Sequence, residues 1–404
     1  MSFADLGVSK NVARALSQRG IDQPFPVQEM VIRDALAGHD LLVQSPTGSG
    51  KTLAFGVPLA DRVEPGKKHL AALVLAPTRE LASQIVDELA AIAEARRLRI
   101  AAVYGGVGFG PQSAAAKRAD IVVATPGRLE DLIGRGTISL GQVEILVLDE
   151  ADRMLDMGFK PAVDRIVAQT PAQRQTLFFS ATLEGATGKV AAAYTGDARR
   201  HTHAADKSEK ADIEHRFLHV DSQSAKLDHL IEQLRGEQGG RTLVFVRTKR
   251  GADRLVKRLR SHEVEAAAMH GDKSQGQRER ALARFEAGDV DALIATDVAA
   301  RGIDVDGITQ VINFDAPGDQ DSYVHRVGRT GRAGRRGTGI SFVLADQAGE
   351  VRKMAVALGL VREFDREHGD RGATGGESQP QRQQGQNGQA RRRRRRRRPK
   401  AAAR

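Results

Sequence analysis

Between residues 41 and about 345 the chain alternates short apolar runs with helix-like segments. The first set of runs is Leu41–Gln44, Ala71–Ala76, Ile100–Tyr104, Ile121–Ala124, Ile145–Leu148 and Thr176–Phe179. The second is Phe217–Val220, Thr242–Val246, Ala266–Met269, Ala292–Ala295, Gln310–Phe314 and Ile340–Leu344. Many are continuously apolar rather than alternating. A strand apolar on both faces is buried on both faces, as in a parallel sheet covered by helices. The pattern predicts two α/β domains of similar size, at 1–195 and 215–361. The polar stretch 196–214, GDARRHTHAADKSEKADIE, breaks it and reads as a linker. His201 and His203 lie there with nothing nearby to complete a metal site, so they read as two solvated side chains.

Charge changes this picture at one end. The 404 residues carry a net +11, but residues 362–404 hold 14 Lys/Arg against 5 Asp/Glu. That leaves 48 basic and 46 acidic residues elsewhere, a nearly balanced body. The terminal segment is rich in Gly, Gln and Arg, has Phe364 as its one aromatic, and contains eight consecutive arginines, Arg391 to Arg398. Such a composition cannot bury enough apolar surface to offset ordering entropy, so 362–404 is expected to be a disordered basic tail. It suits sequence-blind contact with a polyphosphate backbone, with a merely solubilising tail as the alternative. Aromatics are 4% and Trp is absent, which disfavours base-stacking platforms as the main binding device. The absence of cysteine excludes a disulfide framework, a Cys-ligated zinc and a thiol nucleophile. With no apolar run of membrane-spanning length and no signal-peptide pattern, a soluble protein of a reducing compartment is expected, and the Ala- and Arg-rich style suggests a bacterial cytoplasm.

Two segments carry chemistry. Residues 45–52 read S-P-T-G-S-G-K-T between a predicted strand and a helix starting near Lys51. Small residues let backbone N–H groups turn toward phosphate oxygens, Lys51 would reach the β and γ phosphates, and the Thr52 hydroxyl would hold Mg²⁺. The alternative is a Gly/Ser-rich surface turn. Residues 145–152 read I-L-V-L-D-E-A-D, a strand that delivers Asp149 and Glu150 to the edge where doubly wound sheets bind ligands. Asp149 suits Mg²⁺ through water, and Glu150 could orient or deprotonate an attacking water. Together the segments indicate Mg-dependent nucleoside triphosphate hydrolysis. The segment H-R-V-G-R-T-G-R-A-G at 325–334 offers Arg329 and Arg332 for the transition-state charge, or is a basic surface loop.

The order of short segments resembles the DEAD-box RNA helicases over residues 3 to 360. Besides the two above, P-T-R-E-L-A at 77–82, Gly105-Gly106, T-P-G-R at 125–128, S-A-T at 180–182, L-V-F-V-R-T at 243–248, Q-G-Q-R at 275–278, A-T-D-V-A-A-R-G-I-D at 295–304 and H-R-V-G-R-T-G-R at 325–332 are similar to the family's motifs in the family's order. The resemblance implies two tandem RecA-like domains, parallel sheets flanked by helices, with ATP and Mg²⁺ between them. It implies that Gln28 reads adenine within G-I-D-Q-P-F-P-V-Q at 20–28, with Phe3 as the upstream aromatic. Ser45, Pro46, Thr47, Gly48, Ser49, Gly50, Lys51 and Thr52 would cradle the phosphates, and Asp304 would bond the ribose. Lys51, Asp149, Glu150, Arg329 and Arg332 would be catalytic. Asp152, Ser180, Thr182 and His325 would couple nucleotide state to RNA. Arg79, Gly106, Thr125, Arg128, Thr248, Arg278 and Thr296 would hold the RNA backbone without reading bases. Departures occur at Ser45-Pro46, at Ile21 where an aromatic usually stacks on adenine, and at Phe25 where a Ser or Thr is usual. Local, sequence-independent unwinding of short RNA duplexes is the implied activity. A DNA helicase of the same fold and a non-enzymatic RNA clamp gated by ATP are the rival readings.

Overall fold

The computed structural model describes residues 1–46, 48–203, 212–236, 240–300, 305, 307–331 and 335–369. The first sheet contains β1 (Leu41–Gln44), β2 (Ala72–Leu75), β3 (Ile100–Val103), β4 (Ile121–Ala124), β5 (Ile145–Leu148), β6 (Gln175–Ser180) and β7 (Arg199–Thr202). The second contains β8 (Ile213–Val220), β9 (Arg241–Phe245), β10 (Ala266–Met269), β11 (Ala292–Ala295), β12 (Ile308–Asn313) and β13 (Gly337–Leu344). Their orders are β3-β4-β2-β5-β6-β1-β7 and β10-β11-β9-β12-β13-β8, and every pairing is parallel. Parallel neighbours need a crossover, and helices supply it on both faces.

Strands β2, β4, β5, β6, β11 and β13 are buried on both sides, as their composition requires, whereas β1, β3 and the edge strand β8 keep half-buried positions. Leu41, Val43, Val74, Val147, Leu177 and Phe179 share one core with the helix Lys51–Arg62, where Phe55 meets Phe179 edge-to-face at 5.3 Å. Leu73, Leu75, Val122, Leu146, Leu148 and Phe178 form the other. In the second domain Val244, Ile294, Ile312, Ile340 and Phe342 face one way, and Leu243, Phe245, Leu293 and Val311 the other. Register fixes function: Gln44 pairs with Ser180, Leu75 with Leu148, and Phe245 with both Ala295 and Asn313. Each sheet therefore ends in one edge, from which the loops carrying the motifs emerge.

Three readings of the chain are corrected. Residues 199–202, placed in the linker, form the edge strand β7 beside β1. His201 is not simply solvated: its Nε2 lies 3.0 Å from a carboxylate oxygen of Asp34, which Arg199 also meets. The expected tail begins with a helix, Val361–Gly369, whose Phe364 is 2% exposed and packs edge-on against Phe217 and His219. One well-placed ring outweighs the surrounding charge. No helix among the described residues is long and apolar enough to cross a membrane. The arginine run, Thr47, Asp304 and Arg332 lie outside the described residues.

Candidate functional site

Three loop ends of the first sheet converge. After β1 the chain turns through Gly48 and Gly50, both with positive φ (81° and 87°), into the helix that begins at Lys51. The Ser45 amide bonds the Ser180 carbonyl at 3.0 Å, which joins the phosphate-loop segment to the end of β6. Ser45 and Ser49 hydroxyls meet at 2.6 Å, and Ser49 donates to the Pro46 carbonyl at 2.9 Å. Lys51 is buried and donates to the carbonyls of Ser45 (3.0 Å) and Pro46 (2.9 Å). Burial holds its ammonium below the usual lysine range, against the opposing pull of Asp149 and Glu150. A phosphate reaching Lys51 would therefore exchange two neutral acceptors for an anionic one.

Beside it, β5 ends at Leu148 and Glu150 takes a left-handed backbone (φ 49°) to start the next helix at once. A non-glycine residue there costs on the order of 1–3 kcal/mol, and such strain clusters at working sites. Asp149 is 3% exposed, and burial pushes its carboxyl up to about 7 despite Lys51. A buried carboxylate so incompletely neutralised fits a cation, and the nearby Thr52 hydroxyl is half-buried. Glu150 differs: the cations Arg153, Lys51 and Arg329 hold its carboxyl below the usual range despite burial, with Arg153 Nη1 at 2.7 Å. Asp152 accepts from the amides of Ala181 (3.0 Å) and Thr182 (3.2 Å), and Ser180 Oγ accepts from the Thr182 amide.

The second domain closes over this edge. Arg329, 5% exposed, lies within the field of Glu150, and His325 lies within that of Asp152 and Arg153. Burial and the cations Arg153 and Arg329 lower the His325 pKa, while Asp152 and Asp321 oppose. Arg153, Phe245, Asp297, His325, Arg326 and Arg329 line one shared cavity. Phe3 is buried in the first core, and Ile21 packs half-buried against it. Gln28 is 2% exposed: its Oε1 accepts from the Phe25 amide (2.9 Å) and its Nε2 donates to the Gly50 carbonyl (3.0 Å). In this arrangement both ends of the amide serve the protein.

The residues assigned to RNA are divided between the two domains, and Thr125, Arg278 and Thr296 among them are buried. A Cβ on Gly106 (φ 84°) would collide with the Arg79 guanidinium, so glycine there lets that side chain lie flat on the backbone. Arg128 donates to the Val107 carbonyl and to Gln112 (2.9 Å). Thr125 precedes the helix Pro126–Gly134 and is buried. In the second domain Thr248 caps its helix by accepting from the Gly251 amide (3.0 Å), and Thr296 follows β11, buried. Arg278 is not presented as a free cation. It crosses to the first domain and pairs with Glu80 at 2.9 Å, both largely buried.

Comparison with known proteins accounts for this arrangement. Residues 25–190 match the DEAD/DEAH box helicase model, and 225–334 match the helicase conserved C-terminal domain. The DEAD-box ATP-dependent RNA helicase CshA of Bacillus subtilis is 38% identical over 367 residues, covering 91% of this chain and 74% of its own. CshA of Geobacillus kaustophilus is 40% identical over 351 residues, covering 87% and 75%. The chain belongs to the DEAD-box helicase family. Among solved structures, Saccharomyces cerevisiae Dbp5 bound to RNA and ADP BeF3 superposes with a TM-score of 0.79 at 29% identity, covering 91% of this helicase and 94% of that chain. The DEAD-box helicase Mss116 bound to ssRNA and UDP-BeF gives 0.76 at 26%, covering 87% and 76%.

Sequence reading of the helicase passed over three charged residues that the structure places at the interface. Glu80 bridges the domains, and Arg153 holds Glu150. Arg326 makes a bidentate pair with Asp297 (2.5 and 2.7 Å) and bonds Asn313 and the Asp315 carbonyl, tying its helix to the ends of β11 and β12. Each sits next to a residue named from the sequence, Glu80 and Arg326 inside a motif and Arg153 one residue past one. A signal existed, but partner identity did not.

Proposed function

We infer that the protein is an ATP-dependent RNA helicase in which ATP and RNA jointly close two RecA-like domains. The observation that carries this reading is that buried Arg329 of the second domain lies within the electrostatic reach of buried Glu150 of the first, in a cavity that Arg153 and His325 also line. Hydrolysis is then conditional on closure, because neither domain holds a complete site. Lys51 and the amides of 48–52 bind and orient the phosphates, and Glu150, kept ionised by Arg153, accepts the proton of the attacking water. Arg329, and Arg332 beside it in sequence, meet the charge that develops on the transferred group. Asp149 and Thr52 would hold Mg²⁺, which would supply Lewis-acid stabilisation of the phosphoryl oxygens.

RNA enters the same linkage. Arg79, Gly106, Thr125 and Arg128 on one domain, with Thr248 and Thr296 on the other, form two surfaces that align on closure, and Arg278 serves closure through Glu80. They offer hydroxyls, amides and guanidinium groups suited to phosphate and 2′-OH contacts. Ligands that favour the same closed form favour each other's binding. Asp152, bonded to the Ala181 and Thr182 amides and facing His325, is the group through which the two sites feel one another. Each stacked step costs about 1.4 kcal/mol on the DNA scale, so a grip on a few nucleotides opens short duplexes only. The basic tail adds non-specific RNA affinity, and the cytoplasm is where the enzyme meets both substrates. The test is RNA-stimulated ATPase of Arg329→Ala, where a finger role predicts a loss of about 10³ or more in turnover. Near-normal turnover would remove Arg329 from the mechanism. Equal stimulation by DNA would replace RNA as the substrate.

A further inference from the structure

The first domain carries a second cavity, at the edge of its sheet opposite the phosphate loop. Its volume is about 400 Å³, and it lies where β5 and β6 begin. The helix Lys51–Arg62 separates the two places, with Lys51 at the phosphate loop and Arg62 at the cavity. Its 12 residues span about 18 Å. The volume falls in the range of small-molecule sites, but the lining is polar where such sites are usually apolar. Arg62, Arg174, Gln142, Gln173, Gln175 and Glu144 supply most of it. None of these six is assigned to nucleotide or RNA.

Part of this lining has a structural duty. Helix ends leave carbonyls without partners. Arg62 Nη1 donates to the Leu36 carbonyl (2.9 Å) at the end of the helix Pro26–Leu36, and Gln175 Nε2 to those of Ala35 (2.9 Å) and His39 (2.7 Å). Arg174 donates to the Tyr194 carbonyl (3.1 Å) at the end of the helix Gly185–Tyr194, and to that of Pro171 (2.9 Å). Capping accounts for these bonds but not for the charge. A guanidinium has five donors, and a carbonyl satisfies a donor without neutralising the cation. Among the described residues neither Arg62 nor Arg174 makes an ion pair. The buried Arg174 Nε and Gln175 Oε1 have no hydrogen-bond partner. Burial holds the Arg174 pKa below the usual arginine range, although Asp40 opposes it. Gly38 has φ 88°, and a Cβ there would sit 2.8 Å from Arg62 Nη1, so that guanidinium lies against bare backbone. The Glu144 carboxylate is already engaged by Lys67 (2.5 Å) and His69 (3.4 Å). We propose that this cavity binds a small polar oxyanion, a phosphorylated or carboxylated metabolite whose anionic oxygens accept from Arg62 and Arg174 and whose hydroxyls meet the amides of Gln142 and Gln173.

The experiment titrates the full chain calorimetrically with ribose 5-phosphate and, separately, with citrate. A response to the first alone identifies a phosphorylated ligand, to the second alone a carboxylated one, and to both a site that reads charge and not its source. The phosphate loop and the arginine run also attract oxyanions, so variants locate the binding. Arg62→Gln and Arg174→Gln should each weaken it about 10- to 150-fold, the loss expected for a hydrogen bond to a charged group. Lys51→Ala should bind the probe as wild type does. Arg62 is exposed, so Arg62→Gln keeps the wild-type melting temperature and carries the test even where Arg174→Gln, which uncaps a buried helix end, does not fold. Bound probe should also raise the melting temperature of wild type but not of Arg62→Gln. The proposal is overturned if neither probe binds at millimolar concentration. It is equally overturned by binding that Lys51→Ala abolishes and Arg62→Gln leaves unchanged, which would place the anion on the phosphate loop. Binding indifferent to all three substitutions would place it on the arginine run and overturn the proposal as well.

Discussion

Removing Arg278 should open the cleft, and its effect should depend on Glu80. Arg278 stands at 8% exposure and Glu80 at 6%, their charged atoms 2.9 Å apart across the domain boundary. Burial raises the Glu80 pKa even though Arg278 pulls it down, and burial likewise lowers that of Arg278. The pair's mutual attraction thus falls short of the desolvation it incurs, as is common for buried ion pairs. It contributes little net stability when intact, but either partner left alone is a buried, uncompensated charge. Truncating one partner of such a pair costs about 3–5 kcal/mol. Here the molecule has an escape: it can part the domains and let water reach the orphan. We therefore take the lower bound, about 3 kcal/mol, which corresponds to a shift of roughly 150-fold in the open-to-closed ratio.

The assay is RNA-stimulated ATPase over a range of RNA concentrations, with interdomain fluorescence transfer as a direct reading of closure. Arg278→Ala should raise the RNA concentration for half-stimulation by up to the factor by which the closed population falls. Glu80→Ala should do the same, although Glu80 is acidic and has no attraction for a phosphate backbone. The double variant should be less impaired than the sum of the two, with a coupling of about 2–3 kcal/mol. Arg278 acting purely as an RNA ligand makes a different forecast: its loss would be the same with or without Glu80, and Glu80→Ala would improve RNA binding. Additive singles, or a gain from Glu80→Ala, would refute the latch.

Further expectations follow from single placements. Phe364→Ala should destabilise the second domain by about 3 kcal/mol, lowering its melting temperature by roughly 6–12 °C, because the ring is buried against Phe217 and His219. Gly50→Ala should raise KM for ATP at least about tenfold in a folded protein, since the left-handed backbone resists a Cβ by about 1–2 kcal/mol and the new methyl displaces Phe25 and Gln28. Burial, Arg153 and Arg329 depress the His325 pKa in the closed form, so the open form takes up the proton first. Acidification through about pH 6.5, the ordinary histidine value, should therefore raise the RNA needed for half-stimulation, and His325→Gln should lack that component. Truncation after Gly369 should flatten the salt dependence of RNA binding by about 0.7 per lost phosphate contact, leaving turnover at saturating RNA unchanged.

Twelve of the thirteen strands were legible because a strand buried on both faces must be apolar throughout, and apolar runs are visible one residue at a time. β7 was not, for the same reason inverted: Arg199-Arg200-His201-Thr202 is an exposed edge whose backbone bonds to β1 need no apolar side chain. The terminal helix was missed because its hold on the domain comes from a single ring in a charged segment. The motifs named Lys51, Asp149 and Glu150, which the structure brings together, since phosphate cradles and acid-bearing strand ends depend on local spacing. What spacing does not contain is partnership. Nothing in P-T-R-E-L-A says that Glu80 finds Arg278, and nothing in the segment 20–28 says that Gln28 turns both ends of its amide inward and leaves Phe25 in water.

The charges of the cleft explain why closure and nucleotide belong together. Three cations, Lys51, Arg153 and Arg329, are buried there with two carboxylates, Asp149 and Glu150. The carboxylates are not equivalent, because Glu150 is held ionised by its cations while Asp149 is lifted toward neutrality by burial. Lys51 meanwhile rests on two loop carbonyls, which satisfy its donors but not its charge. A bound metal–triphosphate complex would answer them together: Asp149 would face a cation, Lys51 would gain an anionic acceptor in place of its carbonyls, and negative charge would be added near Arg329. Without that ligand, burying Arg329 sets three cations against two carboxylates. With it, the same burial sets that third cation against the negative charge of the phosphates. The electrostatic contribution to closure would thus depend on what occupies the phosphate loop, as expected of a switch rather than a clamp that is always shut.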